Sequence, residues 1–145
     1  MVVVCESAKI NKSRKLKRTC GHSGNYASLF FVSGNKKMKL DKFANKFYSL
    51  NGKLHREDGP AVEWNNGDKY WFKNGDYHRK DGPAIEYANG SKEWYKNGLR
   101  HREDGPAIEY IDGTKSWYLK GIHYGFNHIF TNKSWIKFVK TLIFS

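Results

Sequence analysis

The side chains with the most chemical reach stand in a phrase that occurs three times: His55-Arg56-Glu57-Asp58, His78-Arg79-Lys80-Asp81 and His101-Arg102-Glu103-Asp104. An imidazole beside carboxylates is the composition of a general acid–base pair or of a metal centre. Its recurrence argues against both. A catalytic pocket needs different residues in different roles, which three equal copies do not supply. Equivalent positions on successive hairpins fall two strands apart, about 9.6 Å, too far for two histidines to hold one ion. The structural expectation is that Arg and Asp/Glu side chains bridge neighbouring connectors while His caps a turn carbonyl. Cys20 and His22 offer two more ligands with no second pair beside them, and Cys5 and Cys20 form no CxxC pair. Neither a zinc site nor a disulfide scaffold is therefore expected, and a reducing, cytoplasmic compartment fits. Phosphate-binding glycine loops, nucleophile elbows and HExxH patterns are missing from the sequence. No catalytic residue, cofactor or metal is assigned, and the chain reads as non-enzymatic.

The elements that position these residues are set by an internal period. Residues 51–73, 74–96 and 97–119 align without a gap, bringing Gly59, Gly82 and Gly105 into one column and Trp71, Trp94 and Trp117 into another. With 16% Phe, Trp and Tyr at a mean hydropathy of −0.79, the chain is too aromatic for a disordered segment. In each 23-residue unit an apolar run, an Asn-Gly or Asp-Gly and an aromatic run follow one another, as in Ala84–Ala88, Asn89-Gly90 and Ser91–Lys96. This is a hairpin signal, and Asn-Gly favours a two-residue type I′ turn. That turn would pair Tyr87 with Lys92 and Ile85 with Trp94. Ile85, Tyr87 and Trp94 would then share one face, with Ala84, Glu86, Glu93 and Tyr95 on the other. Single hairpins are marginal, so the units are expected to pack in series as an elongated antiparallel sheet.

The run Trp94-Tyr95-Lys96-Asn97-Gly98-Leu99-Arg100-His101 resembles the MORN repeat family, in particular its divergent units with an H-R-x-D-G-P-A signature. The resemblance covers residues 46–125. It implies a mainly β, elongated sheet that holds proteins or membrane surfaces and carries no catalytic residues. Such units occur in large DNA viruses, phages and bacteria, some in antitoxin-like proteins. A viral protein of the host cytoplasm or virion, or an antitoxin or immunity protein, is accordingly implied. Arg102 stands where ordinary MORN units have glycine, and Asp104-Gly105-Pro106 replaces their glycine-rich continuation.

Charge is unevenly spread. Residues 1–50 hold nine Lys and two Arg against Glu6 and Asp41, residues 51–123 are balanced, and Lys133, Lys137 and Lys140 follow without an acid. The basic segment 1–45 is expected to be partly flexible, with a strand or hairpin around Ser33-Gly34-Asn35. Its run Lys9, Lys12, Arg14, Lys15, Lys17 and Arg18 is the candidate contact for nucleic acid or an anionic surface. Trp71, Trp94 and Trp117 form a ladder that offers stacking for bases or ligands. The favoured reading is core covered by the terminal segments, and an uncovered ladder would need a protein partner or a second copy of the chain. In residues 126–145, Ser134 is positioned to cap a helix whose Trp135, Phe138, Val139 and Leu142 face one way, and that helix is expected to close the array. A protein-interaction scaffold is the leading reading. Nucleic-acid or anionic-membrane binding through the basic flank is the alternative.

Overall fold

The computed structural model describes residues 15–19 and 28–144, with side chains from Ser33 onward. Twelve strands join in one antiparallel sheet. Its path starts with Lys15–Thr19, Ser28–Ser33, Lys36–Leu40 and Lys46–Leu50. Each repeat then adds two strands: Val62–Glu63 and Lys69–Tyr70, Ile85–Glu86 and Lys92–Glu93, Ile108–Glu109 and Lys115–Leu119. Ile122–Phe126 closes the path, and Lys53–Leu54 pairs with Lys46–Leu50 off it. Two small hairpins continue the strands sideways, Phe72–Lys73 with Asp76–Tyr77 and Tyr95–Lys96 with Leu99–Arg100. The hairpin expected around Ser33-Gly34-Asn35 is present, with Ser33 opposite Lys36. Lys15–Thr19 is not a free arm but an edge strand paired to Ser28–Ser33.

Every unit contains two kinds of turn, and the expectation placed the type I′ turn at the wrong one. In the middle of the second unit Gly90 N–H donates to Tyr87 O at 2.9 Å and Tyr87 N–H to Ser91 O at 3.0 Å. Only Gly90 of the loop has positive φ, at 95°. This is a three-residue loop, a turn followed by a left-handed glycine. Ile85 therefore faces Glu93, not Trp94, and Glu86 faces Lys92. The two-residue turns with both φ positive lie at the unit junctions, at Asn51-Gly52, Asn74-Gly75, Asn97-Gly98 and Lys120-Gly121.

A one-residue slip moves every side chain of a strand to the other face. One row across the sheet now reads Phe47, Val62, Tyr70, Ile85, Glu93, Ile108 and Ser116. The next row, on the opposite face, alternates in charge: Lys46, Glu63, Lys69, Glu86, Lys92, Glu109 and Lys115. Trp71, Trp94 and Trp117 lie on this second face, two residues on from Lys69, Lys92 and Lys115. The expected grouping of each Trp with Val62, Ile85 or Ile108 is thereby overturned. Val62, Ile85 and Ile108 are buried, and so are Ala61, Ala84 and Ala107 on the other side of the same strands.

The helix spans Asn132–Phe144. Its cap is Thr131 rather than Ser134: Ser134 N–H donates to Thr131 Oγ1 at 3.1 Å and Thr131 N–H to Ser134 Oγ at 2.9 Å, a reciprocal capping box. Trp135 and Val139 are buried against Trp117 and Leu119, with Phe138 partly so, whereas Leu142 is exposed. Among the described residues no helix is long and apolar enough to cross a membrane.

Candidate functional site

The triplicated phrase builds an arch. Arg102 Nη1 donates to Pro106 O at 3.1 Å and to Glu109 Oε1 at 2.6 Å, and Nε donates to Asp104 at 2.8 Å. Its guanidinium carbon lies 3.9 Å from the ring centroid of Trp94. Arg79 repeats the bonds to Pro83 O and Glu86 and lies over Trp71 at 3.9 Å. Arg56 repeats them with Pro60 O and Glu63 and covers Tyr48 at 4.0 Å. A Cβ on Gly105 would stand 2.9 Å from the Arg102 guanidinium carbon, so the glycine of the signature is where the arginine passes over the backbone. The arch pairs form within a unit, not between connectors as expected, whereas Arg100–Glu93 and Lys96–Glu103 cross from one unit to the next. The hydrogen bond from Arg56 holds the Asp58 carboxyl below the usual carboxylate range.

Histidine accepts a backbone N–H rather than capping a carbonyl. Asn74, Asn97 and Lys120 N–H donate to Nδ1 of His55, His78 and His101 at 3.1, 3.2 and 3.1 Å, stapling each unit to the junction that follows. The candidate tryptophans thus have intramolecular partners. Trp71 and Trp94 are half-buried beneath guanidinium groups, while Trp117 is 1% exposed against Phe130 and Trp135. Gly125 stands where Arg102 would recur, and the helix fills the place of the missing guanidinium.

The opposite face carries a constellation that occurs once. Glu93, 6% exposed, accepts Tyr87 Oη–H at 3.0 Å and Tyr95 Oη–H at 2.9 Å, and Arg100 Nε donates to it at 3.1 Å. Burial, then the Glu93 charge, pushes the Tyr95 phenol up to about 12, and Tyr87 is raised for the same reasons. Burial also raises Tyr70 and Tyr77. The rings touch in sequence: Phe47–Trp64 at 5.7 Å, Trp64–Tyr70 at 6.2 Å, Tyr70–Tyr77 and Tyr70–Tyr87 at 6.2 Å, Tyr77–Tyr95 at 5.1 Å. Sequence reasoning missed this cluster because it sought what the units share. The signal was the column in which they differ, Tyr70, Glu93 and Ser116.

Of the basic candidates, Lys9, Lys12 and Arg14 lie outside the described residues, and Lys15, Lys17 and Arg18 stand on the edge strand. Register aligns Lys17 with Phe30, Lys39 and Phe47, and Lys15 with Val32, Lys37 and Ser49. Among the described residues no three His, Cys, Asp or Glu side chains gather as a metal centre. Exposed apolar side chains occur in the last unit and just past it: Tyr110, Ile111 with its Cδ1 beside Gly90, Phe126 packed on His123, and Ile129 beside Gly125. No protein-family model matches the chain, nor does any curated protein or solved structure compared with it.

Proposed function

We propose that the chain is a non-enzymatic, MORN-like β-repeat scaffold that binds another protein through the C-terminal end of its array. The observation that carries this reading is the exposure of Tyr110, Ile111, Phe126 and Ile129 at 44, 68, 53 and 56%. Apolar side chains left exposed on a folded array offer contact area to a partner. The repeated polar groups, by contrast, are engaged in the arches and junction staples, and no buried side-chain nitrogen or oxygen among the described residues lacks a partner. They hold the array rigid, and a rigid array presents its exposed apolar side chains without an ordering cost at binding.

The test compares partner recovery from the native cell by the full chain and by an Ile111→Ser/Phe126→Ser variant, with circular dichroism confirming the fold of both. A specific partner retained by the full chain and weakened about tenfold or more in the variant is the expected result, equivalent to ~1.4 kcal/mol. Recovery of no partner, or equal recovery by both, counts against the reading.

A further inference from the structure

The two faces of the sheet differ in how their charge is disposed. On the arch face, lysines and glutamates alternate strand by strand from Lys46 to Lys115, so cations there stand beside acids. On the aromatic face the exposed cations are Lys37 and Lys39, with Arg100 farther along. The carboxylate at a strand position of that face is Glu93, buried under two tyrosine hydroxyls and Arg100. Asp41, near Lys39, is occupied by the N–H groups of Phe43 and Asn45 and by the Asn45 side chain. Among the described residues neither Lys37 nor Lys39 has an ion-pair partner. These two lysines, Phe47, Ser49 and Leu54 line a hollow of about 310 Å³. The ring series from Phe47 to Tyr87 and Tyr95 begins at the edge of that hollow.

Ammonium groups outside any ion pair lead into a row of half-exposed rings, and the carboxylates of that face are engaged: Glu93 by Tyr87, Tyr95 and Arg100, Asp41 by the Phe43 and Asn45 amides, and Asp68 by the Ala88 N–H. This disposition suits one polymer in particular. Single-stranded nucleic acid needs cations for its phosphates and π-faces for its bases. A duplex buries its base faces and is read by an element that enters a groove, which this broad face does not supply. We propose that the aromatic face binds single-stranded nucleic acid, with phosphates at Lys37 and Lys39 and bases along Phe47, Trp64, Tyr70 and Tyr87. The strand runs across the sheet. From Lys36–Leu40 to Lys92–Glu93 there are five inter-strand steps, about 24 Å. Lys15 and Lys17 of the edge strand stand in register with Lys37 and Lys39, two strands away, and extend the basic rows outward.

The test is fluorescence anisotropy of the full chain with an oligodeoxythymidine and an oligouridine of roughly 20 nucleotides, against a duplex of the same length and phosphatidylserine vesicles. Binding should favour the single strands and weaken steeply with salt. Lys37→Glu/Lys39→Glu should lower affinity by about tenfold or more, whereas Lys133→Glu/Lys137→Glu, an equal charge change on the helix, should leave it unchanged. Trp64→Ala should weaken binding about fivefold or more and Trp64→Phe should restore most of it, with thermal melts confirming that each variant folds. Equal losses in both charge-reversal variants would reduce the effect to net charge and overturn the proposal. So would duplex binding as tight as single-strand binding, binding to vesicles alone, or no binding at low salt. Ile111→Ser/Phe126→Ser, which bears on the protein-binding reading, should not alter nucleic-acid affinity, so either reading can fail without the other.

Discussion

Each arch concentrates four functions on one arginine: it stacks on an aromatic ring, bonds the proline carbonyl four residues on, pairs with the glutamate seven residues on and passes over a glycine. These contacts explain why the signature is spaced as it is. Arg102 is 17% exposed at its side chain, so its ion pair is screened less than a surface pair. The glycine is a steric requirement, because a methyl group at Gly105 would press on the guanidinium carbon at 2.9 Å. Gly105→Ala should cost about 1–3 kcal/mol, as overpacking does. Most of that cost should vanish in an Arg102→Ala background, since the clashing group is gone. Urea denaturation of the four proteins in the cycle measures this, and additive losses would show that the glycine serves some other purpose. The letters of the arch were legible in the sequence as a triplet, but their roles were not. The ring beneath Arg102 belongs to the preceding unit, and only the fold brings Trp94 to it. Glu93 was illegible for a different reason: its partners Tyr87, Tyr95 and Arg100 acquire meaning only once register puts Glu93 opposite Ile85.

At the scale of elements, the sequence showed hairpins and their period, while register escaped it. Each unit offers two glycine turns, and sequence chemistry favours a type I′ turn at any Asn-Gly. The chain uses that geometry at the junctions and a three-residue loop in mid-unit. One extra loop residue suffices to send the tryptophans to the arch face. The strand Lys46–Leu50 was also partly hidden. Lys46 and Tyr48 keep the columns of Lys69, Lys92, Lys115 and of Trp71, Trp94, Trp117, but the residues before them do not continue the repeat. The junction turns carry their own prediction. Asn51, Asn74 and Asn97 occupy left-handed φ of 52, 56 and 52°, and at the fourth junction Lys120 does so at 50°. Lysine has no short side-chain amide to offset that conformation, which costs an L-residue roughly 1–2 kcal/mol. Lys120→Asn should therefore stabilise the protein by about 0.5–1 kcal/mol, a rise of a few degrees in Tm. An unchanged or lower Tm would mean that Lys120 makes a compensating contact.

At the scale of the molecule, the array is a one-dimensional stack in which each unit leans on its neighbours, and its ends decide whether it stays closed. The C-terminal end was legible because the period fails there: Asn127 and His128 take the places of Asp104 and Gly105, and an amphipathic segment follows. The helix answers the missing fourth arch. Trp135, 0% exposed, packs on Trp117 at 5.3 Å and donates Nε1–H to Arg102 O at 3.0 Å, tying the cap to the third connector. Trp135→Ala should cost about 3–5 kcal/mol, the range for truncating a buried tryptophan. Where the loss falls is the sharper prediction. In a stack of nearest-neighbour contacts, removing the cap loosens the last unit first. Amide hydrogen exchange should accelerate across Lys115–Leu119 and Ile122–Phe126 in the variant and change little at Val62–Glu63 and Ile85–Glu86. A uniform acceleration along the whole chain would mean that the sheet opens as one cooperative body, and that its units are not independent steps of a stack.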